Sequence, residues 1–248
     1  MIIVTSEINN AHMQMAARAS RGVDFLGAES LDVAADAVLR GEADAMIAGI
    51  DNTTRDVILA CKKHLPLKSQ FFSSCFVCKR GDKMFFLADG GVNKVPNTEQ
   101  FLTIVEDTAK TFIAYTGKQP RIAMLSYSTF GSGGKNAELE KIQYVIETIR
   151  KKYPDHIIDG EMQFDVAVNP RIAKKKAPES LIQGDANILI VPDLNTGNIL
   201  YKALEQFGGF TVAGPIIQGF DKALADLSRG STVADIKLTI DVLKKICK

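Results

Sequence analysis

Short apolar segments alternate along the chain with longer stretches in which apolar residues recur every three or four positions. The short segments predict buried strands, and the longer stretches predict amphipathic helices. Alternation of this kind is typical of an α/β protein with a largely parallel sheet. The predicted strands cover 1–5, 45–48, 121–127, 186–191 and 211–213, and the predicted helices cover 11–19, 31–39, 53–63, 197–207 and 232–246.

The alternation of strands and helices is interrupted twice, by a predicted β-hairpin and by a proline after the helix that follows it. The apolar runs 71–78 and 84–88 are separated by a short polar turn and predict two antiparallel strands. A helix capped by Asn97 follows and ends near Gly117. Because Gln119-Pro120 then interrupts the helical pattern, we place a boundary between two lobes at this point.

The charge of the chain is balanced, with 30 Lys and Arg residues against 29 Asp and Glu residues. Such a chain has no overall field that would draw it to nucleic acid or to a membrane surface, so any anion site must be local. No apolar run approaches the roughly 20 residues of a membrane span, and the first residues lack the pattern of a signal peptide. We therefore expect a cytoplasmic protein without nucleic-acid or membrane partners.

Two of the four cysteines, Cys75 and Cys78, form a C-x-x-C pair inside a predicted strand. Redox pairs of this spacing lie at helix starts, whereas residues three apart in a strand point to opposite faces of the sheet. No second cysteine pair follows that could complete a zinc site. We expect reduced thiols and no bound metal.

Three loops with unusual content each follow a predicted strand, which is where open α/β sheets bind ligands. In the first loop, 126–135, glycines allow backbone N–H groups to approach a phosphate, and Ser128 and Thr129 offer hydroxyl donors. Lys135 adds charge, but Asn136 follows it, so the loop does not match the Walker A pattern. An ordinary surface loop is the alternative interpretation.

The second loop, 192–198, lies between a predicted buried strand and a predicted helix. The unpaired N–H groups and positive dipole of a helix start could face an anion, which makes Asn195, Gly197 and Asn198 candidate binding residues. In the alternative, Asn195 or Thr196 only caps the helix.

The third loop, 226–235, carries the most chemistry. Arg229 could hold a phosphate, Ser228 could donate a hydrogen bond to a developing oxyanion, and Asp235 could take a proton. The alternative is structural: Thr232 and Asp235 fit the capping pattern of the last helix, and Arg229 could pair with Asp226 on the surface.

Several of these segments resemble, in the same order, the motifs of the phosphate acetyltransferase and phosphate butyryltransferase family, and most closely its acetyltransferase branch. The resemblance implies a fold like that of isocitrate and isopropylmalate dehydrogenases, with two three-layer α/β/α lobes around a cleft. The first lobe would comprise 1–117 and 231–248, and the second 118–230. The motifs are DGEMQFDVAV at 159–168, KAPES at 176–180, PDLNTGN at 192–198, GPIIQG at 214–219 and DLSRG at 226–230.

The resemblance also implies an activity, the reversible transfer of an acetyl group between coenzyme A and inorganic phosphate by a homodimer without a metal or redox cofactor. In that reaction Asp235 would deprotonate the thiol, Arg229 would hold the phosphoryl or acyl oxygen, and Ser228 would stabilise the tetrahedral intermediate. Ser128 and Thr129 would contact the phosphate. Leu59 stands where the family has a cleft arginine, and Arg55 lies on about the same helix face.

Two other functions remain open at this stage. A relative that binds phosphate or acyl phosphate without coenzyme A chemistry would share the same motifs. A dehydrogenase of related architecture is disfavoured, because no G-x-G-x-x-G follows the opening strand.

Overall fold

The computed structural model describes residues 1–247, which form one mixed ten-stranded sheet with helices on both faces. The strands are β1 Ile2–Thr5, β2 Asp24–Gly27, β3 Ala45–Ala48, β4 Ser73–Arg80, β5 Lys83–Ala88, β6 Arg121–Leu125, β7 Ile157–Met162, β8 Ile188–Ile190, β9 Thr211–Gln218 and β10 Ala223–Asp226. The helices of this part of the chain are α1 Ala11–Arg18, α2 Leu31–Leu39, α3 Thr54–His64, α4 Thr98–Thr116, α5 Ala137–Lys152, α6 Phe164–Val168, α7 Pro170–Lys176, α8 Leu194–Gln206 and α9 Val233–Ile246. None of these helices is long and apolar enough to cross a membrane.

The sheet contains two parallel sets of strands that run in opposite directions. The strand order is β2-β1-β3-β10-β9-β4-β5-β8-β6-β7, with antiparallel pairing only from β10 to β5. In this antiparallel centre, Ala88 at the end of β5 pairs with Cys75 of β4, and Cys75 pairs with Ile216 of β9. Ile216 also pairs with Ala225, the last but one residue of β10. The carboxyl ends of β10 and β5 therefore face each other near the middle of the sheet.

Helices cover the two faces unequally. On one face α1, α4, α5 and α9 bury a single apolar cluster that runs across both strand sets. On the other face the core divides into one cluster under α2 and α3 and another under α6, α7 and α8. Cys75 belongs to the first face and Cys78 to the second, which confirms that the two thiols point to opposite sides.

The α/β class predicted from the alternation is confirmed, whereas the division into lobes 1–117 with 231–248 and 118–230 stays a prediction. Strands of both segments lie in the same sheet, and β9 and β10 pair with β4 and β3. The strands β2 and β10 were not predicted: β2 is largely exposed, and the apolar run of β10 ends at the charged residue Asp226.

Helix ends follow their capping residues. Asn97 caps α4, as predicted, and forms a reciprocal capping box with Gln100. The helix predicted over 197–207 begins three residues earlier, at Leu194, and its cap is Asp193, which accepts a hydrogen bond from the Thr196 N–H. The alternative in which Asn195 or Thr196 caps this helix was wrong, because an aspartate is as good a cap and lies nearer the end of the strand.

Candidate functional site

A cavity of about 560 Å³ lies where the carboxyl ends of β10 and β5 face each other. It opens on the sheet face between α3 and α8, and its size suits a small ligand. Its polar lining includes Asn52, Thr54, Asn198, Lys202, Ser228 and Arg229. A second cavity of about 600 Å³ beside α4 and the end of α9 contains none of the predicted site residues.

Ser228, Arg229 and Gly230 form a turn at the edge of the first cavity. The Ser228 carbonyl accepts a hydrogen bond of 2.8 Å from the Ser231 N–H, and the Ser228 hydroxyl oxygen accepts one of 3.3 Å from the Gly230 N–H. Arg229 is exposed, and the arginines that form ion pairs in the described chain are Arg40, Arg121 and Arg150. The expected surface pair of Arg229 with Asp226 is therefore not formed, and the guanidinium is free to meet an anion.

Asp226, the last residue of β10, is fully buried at the wall of the same cavity. Neither carboxylate oxygen has a hydrogen-bond partner of normal geometry among the described residues. Burial raises the pKa of this carboxyl to about 7; the nearby Thr54 side chain opposes the shift, and the charge of Glu7 adds to it. Sequence reasoning considered Asp226 only as a surface partner for Arg229 and so missed a carboxyl that titrates near neutrality.

Glu7 organises the floor of the cavity from a distant part of the chain. Its carboxylate accepts hydrogen bonds of 2.9 to 3.0 Å from the backbone N–H groups of Gly49, Ile50, Asp51 and Asn52. It also accepts 2.7 Å from the Asn52 side chain. The loop that leads from β3 into α3 is thus wrapped around an internal anion, and it holds Asn52 and Thr54 at the cavity wall.

Asp235 lies behind the cavity and is not part of its lining. Its carboxylate accepts 2.8 Å hydrogen bonds from the Val212 and Thr232 N–H groups and one of 2.6 Å from the Thr232 hydroxyl. The capping box predicted for Thr232 and Asp235 is confirmed at the start of α9. The cavity wall nearby carries Glu205, whose pKa is raised by burial and also by the charge of Asp235.

Residues 12–242 match the model of the phosphate acetyl/butaryl transferase family. The chain belongs to this family. It is 37% identical over 201 residues to the phosphate acetyltransferase of Bacillus subtilis, covering 80% of this chain and 62% of that protein. It is 40% identical over 202 residues to the phosphate acetyltransferase of Salmonella typhimurium, covering 80% of this chain and 28% of that protein. The chain thus spans less than two thirds of the length of these curated relatives.

The fold is shared with a solved member of the family. A phosphotransacetylase from Streptococcus pyogenes superposes with a TM-score of 0.86 at 27% identity, over 100% of this chain and 94% of that one. Family membership and the α/β class therefore agree with the resemblance that the ordered motifs predicted, whereas the fold like that of isocitrate and isopropylmalate dehydrogenases stays a prediction.

The family loop that carries Ser128 and Thr129 is closed by hydrogen bonds within the chain. The Ser128 hydroxyl donates to Glu161 at 2.8 Å and accepts from the Gly133 N–H at 2.8 Å, and the Thr129 hydroxyl accepts from the Gln163 N–H at 3.1 Å. Both side chains are buried, and neither is part of the lining of the cavity. Their phosphate contact stays a prediction, and the structure does not bring them together with Ser228.

The family motif PDLNTGN places its three candidate residues differently. Asn198 lines the cavity and donates a 3.4 Å hydrogen bond to the Gly90 carbonyl, whereas Asn195 is exposed at the first turn of α8 and outside the lining. Gly197 is buried, and a Cβ atom there would come within 2.8 Å of Asp89 and Gly90 backbone atoms. A close approach of α8 to the loop after β5 explains this glycine without a ligand.

The candidate for the family's cleft arginine does not reach the cavity. Arg55 is exposed in the first turn of α3 and is not among the lining residues, although its neighbours Asn52 and Thr54 are. Leu59, one turn further along, is 52% exposed. Of the predicted site residues, the structure brings together Ser228, Arg229 and Asn198.

Proposed function

We propose that the chain catalyses the reversible transfer of an acetyl group between coenzyme A and inorganic phosphate. The supporting observation is the unpaired guanidinium of Arg229 beside the Ser228 hydroxyl, at the edge of a cavity in a chain of this family. An arginine binds phosphate oxygens through two parallel hydrogen bonds, which a surface ion pair would block. No observation favours the alternative of a relative that binds phosphate without acyl transfer.

The reaction balances without a metal or a redox cofactor. The thiol of coenzyme A loses its proton to a carboxylate, and the thiolate attacks the carbonyl carbon of acetyl phosphate. The carbon–oxygen bond to the phosphate then breaks, giving acetyl-coenzyme A and phosphate. Arg229 neutralises charge on the phosphate, and Ser228 donates a hydrogen bond to the oxyanion of the tetrahedral intermediate. The family resemblance assigns deprotonation of the thiol to Asp235.

Replacement of Arg229 by alanine tests this function. We expect kcat/KM for acetyl phosphate to fall about 10²–10³-fold, since one charged donor to the transferring group is lost. Release or consumption of the coenzyme A thiol measures the rate in both directions. Arg171→Ala removes an exposed arginine on α7, outside the cavity, and should retain wild-type activity. Equal activity of the two variants would refute the phosphate site.

We further infer a cytoplasmic homodimer, supported by the family resemblance. Light scattering coupled to size exclusion should give twice the chain mass of 27.0 kDa. A single-chain mass at assay concentration would contradict the dimer and leave the proposed reaction untouched.

A further inference from the structure

The connection from β1 into α1 contacts two of the loops that border the first cavity. Glu7 holds the loop after β3, as described above, and the Asn10 side chain donates a 3.0 Å hydrogen bond to the Asp51 carboxylate of the same loop. In the first turn of α1, the Nδ1 atom of His12 lies 3.1 Å from the Ser231 carbonyl oxygen in the loop after β10. One short segment of the chain thus joins the two loops.

The partner of His12 fixes which ring nitrogen carries the proton. A carbonyl oxygen can only accept a hydrogen bond, so the Nδ1 atom that faces Ser231 is the donor. In the neutral ring Nε2 then has no proton, and the protonated ring still donates from Nδ1. The contact therefore needs a donor at the position of Nδ1 and does not use Nε2.

Ser231 connects His12 to the turn that carries Arg229. The buried Ser231 accepts the hydrogen bond from His12 with its carbonyl, and its N–H donates a 2.8 Å hydrogen bond to the Ser228 carbonyl. Arg229 lies between these two serines and is exposed, without an ion pair among the described residues. The direction of its guanidinium therefore depends on the backbone of the turn, which His12 holds from outside.

The His12 ring is exposed, but the helix that carries it is firmly placed. Met13 and Ala16 of α1 are fully buried in the apolar cluster that also contains Ile236 of α9. The start of α1 is fixed as well, because the Asn10 side chain accepts hydrogen bonds from the His12 and Met13 N–H groups. A side chain on such a helix start can hold a neighbouring loop in place.

We propose that His12 is a positioning residue for the acetyl transfer proposed above, on which this inference rests. Its Nδ1–H group holds the Ser231 carbonyl, and through it the turn that presents Arg229 to the phosphate and Ser228 to the oxyanion. His12 lies outside the lining of the cavity and acts without contact to the substrate. Because the turn is held in advance, phosphate binding does not have to order it.

Replacement of His12 by alanine removes the donor but keeps a strong helix former in α1. We expect kcat/KM for acetyl phosphate to fall about 10–10²-fold, the cost of a small misplacement of binding groups. His12→Asn has an amide N–H near the position of Nδ1 and should recover most of the rate. His12→Gln, whose amide reaches the position of Nε2, should resemble alanine. Met15→Ala, an exposed site on the same helix, is the matched control and should retain wild-type activity.

A double replacement shows whether the effect passes through Arg229. In Arg229→Ala, the change His12→Ala should reduce kcat/KM by a clearly smaller factor than in the wild-type chain, because one of the groups that the histidine positions is already gone. Equal factors in the two backgrounds would mean that the residues act independently, and the inference would be wrong. A higher rate in His12→Gln than in His12→Asn would also overturn it, since the ring would then act through Nε2.

Calorimetry with inorganic phosphate separates this inference from the proposed reaction. His12→Ala should weaken phosphate binding about tenfold, and His12→Asn should restore it. If the wild-type protein binds phosphate without turnover, the acetyl transfer is refuted, and the same comparison of affinities still decides the role of His12. If it binds no phosphate, both proposals are wrong. Thermal unfolding should show that His12→Ala is folded at the assay temperature; a loss of affinity that only follows unfolding would contradict the positioning role.

Discussion

Asp226→Asn is expected to make the protein more stable at alkaline pH. The wild-type carboxyl has a pKa of about 7 in the folded chain and about 3.9 in an unfolded chain. Between these values the folded state keeps a proton that the unfolded state has lost. Stability from this group is therefore complete below about pH 3.9 and is lost as the pH rises through about 7. The difference of about three pKa units corresponds to about 4 kcal/mol in the free energy of unfolding.

Asparagine has no such titration, so the advantage of the variant should grow by about 4 kcal/mol between about pH 4 and about pH 8. The unpaired amide itself costs about 1–3 kcal/mol, which the alkaline gain exceeds. Denaturant unfolding at the two pH values measures the difference. Asp82→Asn, in the exposed β4–β5 turn, is the matched control and should show no change of this size. A pH-independent difference for Asp226→Asn would mean that the buried carboxyl is not protonated in the native state.

Features set by neighbouring residues could be predicted from the sequence. The residue types at the helix starts predict the capping of α4 by Asn97 and the capping box of Thr232 and Asp235 in α9. These predictions succeed because each side chain bonds to a backbone N–H group only three residues away. The opposite orientation of Cys75 and Cys78 follows in the same way from the strand period. Where two caps compete, as between Asp193 and Asn195, the helix start was misplaced by one turn.

Features set by strand pairing could not be predicted in this way. The short strand β10 gives little local signal, yet its register against β9 brings Asp226 opposite the end of β5. Nothing near Glu7 in the sequence indicates that its carboxylate binds a loop 42 residues away. Nor does the sequence around Asp235 indicate that its second carboxylate oxygen, which the capping box does not use, accepts a hydrogen bond from the Val212 N–H.

Three loops that follow strands are wrapped around carboxylates of the chain itself. The Glu7 carboxylate accepts backbone hydrogen bonds from the loop after β3, and the Asp89 carboxylate accepts them from the loop after β5. Glu161 accepts hydrogen bonds from Gly131 and Ser128 in the loop after β6. Backbone N–H groups in such loops otherwise bind external anions. Because these donors are already used, Arg229 on the loop after β10 is the better placed group for a phosphate.

Removal of the Glu7 carboxylate should be among the most damaging single changes to this fold. In Glu7→Ala, four backbone N–H groups between Gly49 and Asn52 lose their acceptor, and part of this loop is buried. A buried unpaired donor costs about 1–3 kcal/mol, so a loss of about 4 kcal/mol or more is expected even if water satisfies some of them. Glu7→Gln keeps one carbonyl oxygen and should lose about half as much. Denaturant unfolding near neutral pH measures both.

The loss of the Glu7 charge should also affect Asp226. The charge of Glu7 raises the pKa of Asp226, so in Glu7→Gln the fall in stability that accompanies ionisation of Asp226 should end at lower pH. Glu29→Gln, an exposed carboxylate in the same N-terminal part of the chain, is the matched control and should leave stability and its pH dependence unchanged. If Glu7→Gln lowers stability but leaves its pH dependence in place, Glu7 supports the loop without raising the pKa of Asp226. If it does neither, the loop after β3 does not depend on this internal anion.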